Sequence, residues 1–147
     1  MKICKHRRLL HTGSLILQLL LIIGCQHALT AAVPTYLTLT GKVVFAVAFA
    51  GPPLLADAGY LAVLALLSLA LGRLAMTMKE RFDAYAPLVA ELLVILEVWT
   101  ALFSWALVGY MLSVSGIAAI FTVVNVIAIG AVVVAGVRWL QHTKLMR

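Results

Sequence analysis

The sequence predicts an all-α integral membrane protein, a helical bundle that forms one transmembrane domain over residues 1–147. Two observations carry this expectation. Hydrophobic residues make up 65% of the chain and charged residues 11%, against roughly 45–50% and about 25% in a soluble domain. The apolar residues also fall in long runs without the alternation of a barrel strand. In lipid every backbone N–H and C=O must be paired within the protein, so such runs are read as helices.

Four transmembrane helices are expected, at about 14–33, 54–75, 88–111 and 117–140. The first run, Ser14 to Val33, has 20 residues, about 30 Å as a helix and one bilayer core. Pro34 ends it. The stretch from Val43 to Met76 has 34 residues, about 51 Å as one helix, too long for a single crossing. Gly51, Pro52 and Pro53 interrupt it, because tandem prolines remove two helical donors and clash with the preceding turn. Residues 36–53 are therefore expected to form a proline-broken half-helix or a re-entrant segment. Residues 77–87 are the one substantial polar loop, and Pro87 suits the first turn of the third span. A short turn at Ser113, Ser115 and Gly116 leads to the fourth span.

Charge sets the orientation. Lys2, Lys5, Arg7 and Arg8 precede the first span, Arg73, Lys79 and Arg81 flank the central loop, and Arg138, Lys144 and Arg147 follow the last. Four spans place these ten of the eleven Lys and Arg residues on one side, with Lys42 the exception. The positive-inside rule makes that side cytoplasmic. The expected location is a bacterial-type inner membrane, with both termini in the cytoplasm. Five spans, with residues 36–56 crossing fully, would split the basic groups. The sequence Ile22-Ile23-Gly24-Cys25 resembles a lipobox before a lipidated cysteine. The apolar run continues past it to Val33, and a retained first span is the expectation. Cys4 and Cys25 are 21 residues apart, about 31 Å along a helix, so a disulfide between them is not expected.

Ionisable groups inside spans cost about +2.5 to +3.5 kcal/mol at a helix centre, so each is a candidate site. Glu97 lies about 13–14 Å beyond Leu88, and Asn125 about 15 Å beyond Ser115 on the antiparallel neighbour. The two are expected to meet at one depth, as an interhelical clamp or as a proton or cation site, with Thr100 and Thr122 one turn away. Glu91 is expected to reach the interface or to pair with Arg81 or Lys79. Lys42 and Asp57 flank the proline break and would pair if residues 42–57 folded back. His11 and His142 could approach one another near the cytoplasmic ends, but nothing in the sequence brings them together as haem ligands. Ser68 with Gly72, and Ala131 with Ala135, are small-residue pairs that allow close helix packing.

No phosphate loop, HExxH motif or nucleophile elbow occurs. No catalytic residue, metal site or cofactor is expected, and the basic charge lacks a folded face for nucleic acid. The expected partners are the lipid bilayer and either another membrane protein or further copies of this chain. The leading expectation is a non-enzymatic accessory or assembly component of a membrane complex. The alternative is a small transporter or channel for protons, cations or a small solute, with Glu97 at its centre. Reporter fusions check the topology. Residues 80 and 145 should report cytoplasm and residue 40 the opposite side, whereas extracytoplasmic signals at 80 and 145 would mean five spans.

Overall fold

The computed structural model describes residues 2–30, 32–48, 51–80 and 85–145, with only the backbone for residues 2–8, 36 and 142–145. Four helices and a β-hairpin follow one another: α1 (Lys2–Gly24), β1 (Ala32–Leu37), β2 (Val43–Ala48), α2 (Pro53–Lys79), α3 (Ala86–Met111) and α4 (Ile117–Leu145). Among the described residues, three helices are long and apolar enough to cross a membrane: Pro53–Lys79, Ala86–Met111 and Ile117–Gln141. A shorter apolar stretch, Leu9–Gly24, belongs to α1, and its 16 residues span about 24 Å.

The ends of the long helices follow the local chemistry. Pro53 opens α2 and Pro87 lies in the first turn of α3, where a missing N–H costs nothing. Between α3 and α4, Ser113 and Gly116 adopt positive φ. The Val114 N–H bonds back to the Gly109 carbonyl, which satisfies an acceptor at the end of α3.

Two expectations are corrected here. The first helix ends at Gly24 rather than Val33, followed by a 3-10 turn at Gln26–Ala28. Gly24 is a poor helix former, and Pro34 biases Val33 toward extended backbone. The second correction concerns residues 36–53, where a β-hairpin over residues 32–48 stands in place of a half-helix. Its strands pair antiparallel, Ala32 with Ala48, Val33 with Val47 and Leu37 with Val43. Val33, Thr35, Val43, Val44, Phe45 and Val47 favour a pleated surface. The pairing is irregular between Pro34 and Tyr36, consistent with proline having no N–H to donate.

The hairpin turn is closed by Thr38 N–H to the Lys42 carbonyl and Gly41 N–H to the Thr38 carbonyl, each 2.9 Å. It docks on the α3–α4 pair. Asn125 Nδ2 donates to the Leu39 carbonyl at 2.8 Å, and the Tyr110 hydroxyl donates to the Gly41 carbonyl. The Thr30 N–H bonds to the Met111 carbonyl at 3.0 Å, tying the chain before the hairpin to the end of α3.

The bundle is built around α2 and α3. Helix α1 packs chiefly on α2, α2 and α3 pack chiefly on each other, and α4 packs chiefly on α3. The buried residues of α2 are Asp57, Leu61, Leu64, Ser68, Gly72 and Ala75, spaced by three or four residues and so on one face. At the hairpin end, Val33, Leu64, Leu107 and Met111 form one apolar cluster. Ile22, Leu61 and Val108 form a second beside it. Large apolar side chains such as Leu66, Val98, Ile127 and Val133 face outward, as lipid requires and water does not.

Gly41 has φ +74°, and a Cβ there would lie 2.8 Å from the Ala118 Cα. Gly41→Ala combines backbone strain with a backbone clash and should cost about 1–3 kcal/mol. A lower thermal transition in detergent and faster proteolysis within the hairpin are the expected signs.

Candidate functional site

Helices α1 and α3 run in the same direction and meet in a regular register. On α1, His11 and Gln18 are seven residues apart, as are Glu97 and Ser104 on α3. Seven residues are about 10–11 Å and nearly two full turns, so each pair shares a helix face. His11 Nε2 meets Glu97 Oε1 at 2.9 Å, and Gln18 Nε2 donates to Ser104 Oγ at 2.8 Å. Both contacts join residues 86 positions apart. Ile22 and Val108 keep that offset (108 − 22 = 86) and share an apolar cluster. Polar layers thus stack below an apolar layer, and the indole of Trp105 donates to Ser14 Oγ at 2.8 Å alongside them.

Helix α2 completes the first layer. Ser68 Oγ donates to the Glu97 carbonyl at 3.2 Å and lies 3.3 Å from His11 Nδ1. Gly72, one turn away, leaves room for the carboxylate, since a Cβ there would lie 2.7 Å from Glu97 Oε1. The Ser68/Gly72 pair therefore seats a carboxylate as well as bringing helices close.

A hydroxyl carries one hydrogen, so when Ser68 donates to the Glu97 carbonyl it accepts from His11 Nδ1–H. The Nε2 contact then holds either an imidazolium beside a carboxylate or a neutral imidazole beside a carboxylic acid. These forms differ only in where one proton sits along 2.9 Å. Both leave the pair with no net charge, which lowers the cost of burying it. The Glu97 side chain is 4% exposed and that of His11 16%.

Glu97 and Asn125, expected as a pair, share no hydrogen bond among those described. Glu97 faces α1 and α2. Asn125 instead accepts from Trp99 Nε1 at 2.8 Å and donates to the hairpin. Trp99 is two residues from Glu97, about 200° around the helix, so the two polar groups use opposite faces of α3. Thr100 and Thr122 bond to their own helix backbones, at Leu96 and Ala118.

The secondary candidates separate too. Glu91 approaches Arg138 of α4 at 3.6 Å, with both side chains substantially exposed, and such a contact is worth little. It borders a cavity with Lys79, while Arg81 lies outside the described residues. Lys42 is exposed in the hairpin turn and does not meet Asp57, which is wholly buried. Cys25 is exposed just beyond α1. The side chain of His142 lies outside the described residues. Among the described residues, no group of three His, Cys, Asp or Glu side chains could hold a metal.

His11, Gln18 and Ser104 were not singled out as a set from the sequence. The matched seven-residue spacing of polar groups in two apolar runs is the signal that could have found them. Comparison with protein-family models, curated proteins and solved structures finds no match.

Two substitutions separate space from hydrogen bonding at the site. Gly72→Ala should push the Glu97 carboxylate off His11 and lower stability by about 1–3 kcal/mol. Glu97→Gln keeps the shape and should cost about 1 kcal/mol or less. Thermal unfolding in detergent reads both, and equal transitions for wild type and Gly72→Ala would contradict the packing.

Proposed function

We infer that this chain is a small four-span protein of a bacterial-type inner membrane, with both termini in the cytoplasm, and that it moves protons. The observation that carries this reading is the buried His11–Glu97 pair. Ionisable residues inside membrane helices face the bundle interior and mark ion or proton pathways. Here the ionisable and polar groups of three helices turn toward one another, away from the outward apolar surface.

The pair holds one mobile proton without net charge. Adding a second proton leaves it cationic, and removing the shared one leaves it anionic. Each charged state is costly in an apolar bundle and favours hydration or a shift of α1 against α2 and α3. Glu97 lies eleven residues from Ala86, and Ser68 eleven from Lys79, about 16–17 Å from the cytoplasmic helix ends of this topology. Gln18–Ser104 continues the polar interior outward. The reading requires α1 to stay attached, because α1 supplies His11 and Gln18.

The accessory reading has its own supporting observation. Helix α4 packs chiefly on α3 and leaves apolar grooves on the pair. One of about 460 Å³ lies along Leu92, Leu96, Ile129 and Val133. Another of about 190 Å³ lies along Val98, Leu102, Val124 and Ile127. A partner's helix would fit such a surface.

Proton movement in proteoliposomes under an imposed pH gradient tests the first reading. Wild type should dissipate the gradient, and Glu97→Gln should fall to the background of empty liposomes. Unchanged flux in Glu97→Gln would remove the site. Wild-type protein without flux that crosslinks to a partner in native membranes would favour the accessory reading.

A further inference from the structure

Among the described residues, the buried acids are Glu97 and Asp57, and the site above uses only the first. Asp57 lies on the buried face of α2, eleven residues from Ser68, about 16–17 Å along the helix. It is wholly inaccessible, and neither of its carboxyl oxygens meets a hydrogen-bond partner among the described residues. Its layer is set by the register of the bundle. Eleven residues beyond His11 is Ile22, and eleven beyond Glu97 is Val108. These two pack together with Leu54, Ala58 and Leu61, the α2 residues on either side of Asp57.

The groups around this layer are apolar on all three helices. The neighbouring titratable side chains are Tyr60 on α2, Tyr110 on α3, which is turned to Gly41, and His27 beyond α1, which is exposed. No described cation pairs with Asp57, and Lys42 is exposed in the hairpin turn. A charged carboxylate held dry and unpaired is a state that proteins avoid by neutralising the group. A hard metal cation would need several oxygen ligands, which this apolar layer does not supply. A proton needs only the carboxyl.

We propose that Asp57 is a second proton-binding site, serving the extracytoplasmic end of the interior as His11–Glu97 serves the cytoplasmic end. This rests on the proton reading and topology above. Pro53 opens α2 four residues earlier, so Asp57 is about 6 Å from the outer end of its helix. A hydronium ion there gives its proton to the carboxylate, leaving water and a neutral acid, and release is the reverse. On the buried face of α2, Leu61 and Leu64 separate Asp57 from Ser68. No continuous polar chain joins the two sites among the described residues. A proton passes only when α2 shifts or water enters that layer, so the sealed form is the loaded, closed state.

The test uses full-length protein in proteoliposomes treated with dicyclohexylcarbodiimide, which attacks protonated carboxyls in apolar surroundings, and maps the adducts by mass spectrometry. An adduct at Asp57 should form at acid pH and decline as external pH rises, in wild type and Glu97→Gln alike. Absence of that adduct at every pH, in protein that keeps its thermal transition, would overturn the proposal. Asp57→Asn should lose proton flux to the background of empty liposomes while remaining folded, and wild-type flux in that variant would also overturn it. If wild type moves no protons yet labels at Asp57 with this pH dependence, the transport reading fails and the proton site stands.

Discussion

The register between α1 and α3 is the contact on which the interior depends. Polar side chains in an apolar bundle are tolerated when each finds a partner at its own depth. A constant offset of 86 positions meets that condition twice over, at His11–Glu97 and at Gln18–Ser104, and continues into the apolar pair Ile22 and Val108. Sliding α1 by one turn would separate both polar pairs at once. Helix α2 adds the small residues, Ser68 and Gly72, that let a carboxylate sit where three helices converge. Specific alignment here comes from hydrogen bonds, because apolar contacts between helices compete with equally apolar lipid.

The hairpin end depends on a different set of contacts. There the backbone leaves the helices, and its polar groups are met by side chains that a helix-only bundle would not need. Asn125 spans Trp99 and the Leu39 carbonyl, and Tyr110 holds Gly41. The same hairpin supplies Val33 to the apolar cluster with Leu64, Leu107 and Met111. Asn125 is therefore a clasp for the connection between α1 and α2, while Glu97 belongs to the core. One helix, α3, serves both through opposite faces.

Much of the fold was legible in the sequence. Helices α2, α3 and α4 begin where Pro53, Pro87 and Gly116 punctuate long apolar runs, and little else could compete with helix in between. The hairpin was not legible because Val43–Ala48 is apolar throughout, and a short apolar run does not distinguish strand from buried helix by period. Its β-branched content and the Gly41 turn were the discriminating features. At the site, Glu97 stood out because a mid-span acid is costly. Its contact with His11 was not legible, because matching depth says nothing about azimuth, and many residues share a depth. His11 was placed near the membrane surface by an expected span starting at Ser14, whereas α1 begins at Lys2 and carries it into the bundle.

The offset also has a meaning in time. A ribosome completes His11 and Gln18 86 residues before Glu97 and Ser104. At about 5–20 residues per second this interval is roughly 4–17 s. Throughout it, the polar edge of α1 must be satisfied by water, headgroups or the insertion machinery, because its partners on α3 do not yet exist. Among the described residues, the apolar stretch Leu9–Gly24 is also shorter than the three helices long enough to cross a membrane. Helix α1 is thus made well before its partner, its final placement waiting on the arrival of α3.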